Sequence, residues 1–252
     1  MNKKEFLLKR LDEIGESLKI SGNGLGLLGL GSVGNELQRL DEYSDLDFFA
    51  IVKNGYKQHY IQNLDWLSSI KPIVYCFRNT ADGFKLLYED GIFCEMAVFE
   101  PHELSGIPFS EGRWVWKSDE LDGGLNTPKI PYPKQDQKSV EWMVGEAITC
   151  LYVGLGRFHR GEKLSAFRFI QNYAVDRILE LTPLIEPELQ HFKDVFSGDR
   201  RFEKRFSSTA ELFSDFIQGY DRSPESAKAI LEFLNNHFEV NEEMKKQILE
   251  MC

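Results

Sequence analysis

The hydrophobic pattern of this 252-residue chain turns from strand-rich to wholly helical around residues 126–135, and the change divides it. Up to about Leu125 the apolar residues come in short runs: Leu25 to Leu30, Phe48 to Val52, Ile73 to Phe77, Phe84 to Tyr88 and Ile92 to Phe99. Runs of this length between turn residues read as β-strands. Beyond Gln135 the apolar residues recur at helical spacing almost to the end, as in Val140 to Phe158 and Ala166 to Leu181. Between the two patterns lie Pro128, Pro131 and Pro133 in a short polar stretch, which favours an extended linker over a packed element. The pattern predicts an α/β (α+β) domain over residues 1–125, a linker over 126–135 and an α-helical domain over 136–252.

Finer signals fill in the elements. Leu7, Leu11, Ile14 and Leu18 recur at helical spacing and predict an amphipathic first helix, with Ser21-Gly22-Asn23-Gly24 as the turn after it. Short helical segments are expected over 35–40 and 59–69. Glu89-Asp90-Gly91 between apolar runs predicts a hairpin. Ser223-Pro224 ahead of Glu225 reads as an N-cap with proline at the first helical position.

Composition narrows the function classes. With 30 Lys and Arg against 40 Asp and Glu, the net charge of −10 argues against general nucleic-acid binding, which needs a basic footprint. It suits a cationic small molecule drawn to an acidic cleft. Cys76, Cys94, Cys150 and Cys252 show no metal-ligand spacing and read as thiols in a reducing cytosol. The charged N-terminus lacks the apolar region of a signal peptide, and no run approaches a membrane span, so a cytoplasmic protein is expected.

The chemistry concentrates in Gly31-Ser32 and in Ser44-Asp45-Leu46-Asp47 at the head of the second strand. On a strand, residues i and i+2 share a face, so Asp45 and Asp47 point the same way, with Cα atoms roughly 6.5–7 Å apart. Paired carboxylates suit Mg²⁺, and a Gly-Ser turn offers phosphates backbone N–H groups and a hydroxyl. Together they suggest nucleotidyl transfer. A third carboxylate is expected from Glu95, an acid inside an apolar run, with Glu100 the lesser candidate. Gly29-Leu30-Gly31-Ser32-Val33-Gly34 also matches the dinucleotide fingerprint. However, the acids open the second strand rather than end it, and the intervening helix is too short for a crossover.

Gly31-Ser32, the Asp45-x-Asp47 pair and a later strand Glu resemble the signature of the DNA polymerase β-type nucleotidyltransferase superfamily. Residues 93–99 and 160–171 narrow the resemblance to the antibiotic nucleotidyltransferases, especially the lincosamide group. The resemblance implies a mixed sheet with helices, a helical C-terminal domain, Mg²⁺ and ATP, and adenylylation of an antibiotic hydroxyl. Asp45, Asp47 and Glu95 would hold two Mg²⁺ ions, with Glu95 as ligand or as general base. Gly31 and Ser32 would meet the triphosphate. Lys163 is a candidate phosphate-binding cation, as is Arg157, while His159 reads as a solvated helix end. An aminoglycoside acceptor is the alternative; a nucleotidyltransferase-type antitoxin and a non-catalytic nucleotide-binding regulator are the readings outside the enzyme class. A homodimer is compatible with the sequence; no nucleic-acid or membrane partner is expected.

Overall fold

A computed structural model describes residues 2–130, 138–194 and 197–252. The chain divides into two compact units, Met1–Lys134 and Gln135–Cys252. Pro128 lies among the described residues; Pro131 and Pro133 of the expected linker lie outside them.

In the first unit, helix α1 (Lys3–Ile20) starts at a reciprocal cap. The Asn2 side chain accepts from Glu5 N and the Glu5 carboxylate accepts from Asn2 N. Leu7, Leu11, Ile14 and Leu18 are fully buried on its inner face. Strands follow at β1 (Gly24–Gly29), β2 (Leu46–Val52), β3 (Ile73–Phe77), β4 (Gly83–Tyr88), β5 (Phe93–Phe99) and β6 (Arg113–Lys117). Short helices α2 (Lys57–Gln62) and α3 (Asp65–Ser68) replace the single segment expected over 59–69. Between β1 and β2 the chain makes two 3-10 turns, Gly31–Val33 and Leu37–Arg39.

The sheet order is β3-β4-β5-β2-β1-β6. β2 and β5 run parallel, whereas the other neighbouring pairs are antiparallel. The antiparallel pairing of β1 with β2 removes the dinucleotide reading, which needs a parallel crossover there. Leu87 pairs with Phe93 around Asp90-Gly91, where Gly91 takes φ +83°, so the expected hairpin is present. β6 was not expected: Arg113-Trp-Val-Trp-Lys is flanked by charge and half-buried throughout, a weak strand signal at a sheet edge.

One face of the sheet packs Leu46, Phe48, Ala50, Cys94, Met96 and Val98 with the buried side of α1. On the other face a smaller cluster joins Leu28, Ile51, Phe99, Leu104 and Phe109. Arg10, only 4% exposed, ties α1 to the hairpin through Asp90 at 2.6 Å, with its guanidinium over the Tyr88 ring.

The second unit is helical, as expected. It comprises α4 (Val140–His159), α5 (Lys163–Phe167), a π-helical segment (Arg168–Ala174), α6 (Val175–Leu181), α7 (Phe202–Arg205), α8 (Ser207–Ala210), α9 (Phe213–Phe216), α10 (Ser223–His237) and α11 (Glu242–Met251). Its core gathers Ala147, Leu151, Leu155, Ile170, Ile178, Ile230 and Leu234. Gly154 permits the approach of the π segment, since a methyl there would lie 2.6 Å from Ile170 Cγ1. The cap before α10 is Arg222, not Ser223. Ser223 is the first helical residue and is buried, with its hydroxyl accepting from Gln171 Nε2 at 3.2 Å.

Candidate active site

The acidic pair comes off a tight turn. Asp41 accepts from Tyr43 N at 2.9 Å and from the Ser44 hydroxyl at 3.0 Å. Those bonds, the Ser44 hydroxyl first, hold its carboxyl below the usual range. Ser44 is thereby committed to the turn. The chain leaves it at Asp45 and enters β2 at Leu46. Alternation then sends Leu46, Phe48 and Ala50 into the main core and turns Asp47, Phe49 and Ile51 to the opposite face.

The register places the third acid. Asp47 is the partner of Glu95 across the parallel β2–β5 pair, and Glu95 is the partner of Lys85 across β4–β5. Partners in a ladder point to the same face, so Asp47, Glu95 and Lys85 form one row. Lys85 Nζ lies 3.1 Å from Glu95 Oε2, and Asn79 Nδ2 donates to Glu95 Oε1 at 3.0 Å. Both oxygens of Glu95 thus have a partner.

The Gly31–Val33 turn faces this row. Leu30 N donates to Asp47 O at 2.8 Å, extending the β1–β2 ladder to the turn itself. Gly31 has φ +52°, a left-handed conformation that favours glycine. A methyl there would lie 3.6 Å from Arg39 Nη2 and 3.8 Å from Asp47 Oδ2, so glycine, guanidinium and carboxylate converge. Ser32 sits half-buried inside the turn. Arg39 is paired with Glu36, and Arg113 Nη2 donates to Val33 O at 3.1 Å. The Nε atoms of both arginines are buried with no hydrogen-bond partner among the described residues.

The remaining candidates fall elsewhere. Glu100 accepts from Gly55 N at 2.7 Å and fastens the turn before α2. Lys163 belongs to the second unit, where Nζ meets Asp221 at 2.8 Å. That hydrogen bond raises its pKa. Arg157 donates to the Ser165 hydroxyl and stacks over Phe169. His159, exposed at the C-terminal end of α4 as expected, contacts Met251 O through Nε2 at 2.8 Å, which ties α4 to α11. Cys94, behind the acidic row, is buried in the main core; burial and then the Asp45 and Asp47 charges push its thiol far up, leaving it unreactive.

Asp45, Asp47 and Glu95 offer hard oxygen donors, the set that Mg²⁺ prefers. Among the described residues no three His, Cys, Asp or Glu side chains are drawn together tightly enough to hold a metal. Glu95 is drawn toward Lys85, with Nζ 3.1 Å from Oε2. The donor chemistry and the shared row still fit a divalent ion. Sequence reasoning missed Lys85, Asn79 and Arg113 as neighbours. The one signal available for Lys85 was its mirror position to Glu95 about the Asp90-Gly91 turn.

No family model matches this chain, and no curated protein matches it. Solved structures to which it is similar include an aminoglycoside 6-adenyltransferase from Bacillus subtilis. The two are 11% identical, covering 100% of this chain and 92% of that one, with a TM-score of 0.35. Another is a STING-associated CdnE c-di-GMP synthase from Capnocytophaga granulosa, at 12% identity, 98% and 78% coverage and a TM-score of 0.29. Likeness this slight carries no argument about the reaction, which has to be read from the chain's own residues.

Proposed function

We propose that the first unit transfers the nucleotidyl group of ATP to a hydroxyl of a small-molecule antibiotic, a lincosamide in the first instance. The observation that supports this most is the in-register pair of Asp47 and Glu95 beside the left-handed Gly31 turn. The lincosamide preference rests on the sequence resemblance of residues 93–99 and 160–171.

Asp45, Asp47 and Glu95 are the residues that would hold Mg²⁺, and the ion would supply charge neutralisation at the phosphates. Gly31 leaves room for the triphosphate, while Ser32 donates its hydroxyl to it. Arg39 and Arg113 bring positive charge to the same turn. The acceptor oxygen forms a bond to the α-phosphorus as the bond to the β-phosphate oxygen breaks, releasing pyrophosphate. Glu95, freed from Lys85, either joins the metal set or takes the hydroxyl proton.

The test is mass spectrometry of lincosamides and aminoglycosides after incubation with the protein, ATP and Mg²⁺. An adduct of one AMP less water on a lincosamide supports the reading, and an aminoglycoside adduct alone moves the acceptor to that class. Intact acceptors across the panel would remove the reading. Among the described residues no helix is long and apolar enough to cross a membrane.

A further inference from the structure

We propose that Tyr75 and Phe77 of β3 form an apolar platform that receives the body of the acceptor while its hydroxyl reaches the acidic row. This deepens the transfer reading and rests on it.

The register carries the argument. Phe77 pairs with Lys85, Lys85 with Glu95, and Glu95 with Asp47, so all four stand on one face in one row. The adjacent row on that face runs from Tyr75 through Leu87 to Phe93, and Asp45 is the residue before Leu46, where the β2–β5 ladder begins. Both rows therefore begin with an aromatic ring at the sheet edge, and the first ends with the Glu95 and Asp47 carboxylates. Tyr75 and Phe77 are each 53% exposed, an unusual cost in water for two rings side by side on an edge strand. Leu87 and Phe93, half-buried, continue the apolar surface inward.

Strand spacing sets the size of the occupant. At about 4.8 Å per strand, β3 stands about 10 Å from β5 and about 14 Å from β2. The fitting acceptor is an elongated molecule with an apolar ring or chain at one end and a hydroxyl about 10 Å away. A compact, uniformly polar acceptor cannot use both ends of the rows. Continuity with the acidic row favours such a small molecule over a second copy of the chain pairing along β3, the other occupant an exposed edge invites.

The experiment compares wild type with Tyr75→Thr/Phe77→Thr, threonine being strand-compatible, using lincomycin and kanamycin as acceptors. Circular dichroism and sedimentation of both proteins accompany the kinetics. The expected result is a rise of about tenfold in KM for lincomycin, larger than any fall in kcat, with KM for ATP held. An unchanged KM for lincomycin, or a parallel rise for ATP, overturns the platform while leaving the transfer reading intact. A dimer that becomes monomeric with no change in KM assigns the face to self-association and also overturns it. A wild type that transfers to neither acceptor removes the transfer reading, and the platform with it.

Discussion

Asp47 occupies the position on which the rest of the site converges: its backbone carbonyl closes the β1–β2 ladder at Leu30, and its carboxylate faces Gly31. Asp47→Asn keeps the shape and removes the charge. It is expected to leave the thermal melt nearly unchanged and to lower transfer by roughly a thousandfold. Glu95 separates two roles. If it is a metal ligand, Glu95→Gln should regain part of its activity at high Mg²⁺. If it is the proton acceptor, extra metal should not help and the rate should rise more steeply with pH. The paired Asp45 and Asp47 and the isolated Glu95 were legible in the sequence because acids at a strand head or inside an apolar run stand out. Arg113 was not, because its place depends on the pairing of β6 with β1, which no local pattern states, and Lys85 could be placed only by counting back through the hairpin turn.

At the scale of elements, the turn after β1 sets the geometry. Gly31→Ala finds ordinary van der Waals space, yet it forces φ +52° on a residue with a Cβ. The expected loss is about 1 kcal/mol of stability together with weaker ATP binding, measured by urea unfolding and by nucleotide titration. The hairpin offers an electrostatic prediction. Burial alone would raise the Asp90 pKa, but the hydrogen bond and charge of Arg10 outweigh it and hold the carboxyl below its ordinary value. A lowered native pKa stabilises the fold above the unfolded-state value and is lost as pH falls through the native one. Asp90→Asn should therefore destabilise the protein at neutral pH and flatten the acid side of its stability curve, measured by urea melts across pH. The hairpin itself was legible, since Asp-Gly between apolar runs has one common solution. The π segment at Arg168–Ala174 was not: its helical spacing hides the extra residue per turn, which shows only against Gly154.

At the scale of the whole molecule, each unit carries its own core: Leu27, Phe48 and Met96 in one, Leu151, Ile170 and Ile230 in the other. Leu151→Ala should cost about 2–5 kcal/mol and act mainly on the helical unit. Hydrogen exchange is the check, with faster exchange expected in α4, α6 and α10 than in the strands. The change of hydrophobic pattern announced the strand-rich and helical halves, whereas the sheet order, with β5 inserted beside β2, is a long-range choice that only the fold displays. That order brings Glu95 beside Asp47 and makes the central claim testable by one titration. Pyrophosphate release from ATP with a lincosamide acceptor should rise with Mg²⁺ to saturation in the wild type and stay near background in Asp47→Asn at every concentration. Release that ignores Mg²⁺, or an Asp47→Asn titration matching the wild type, would contradict the account.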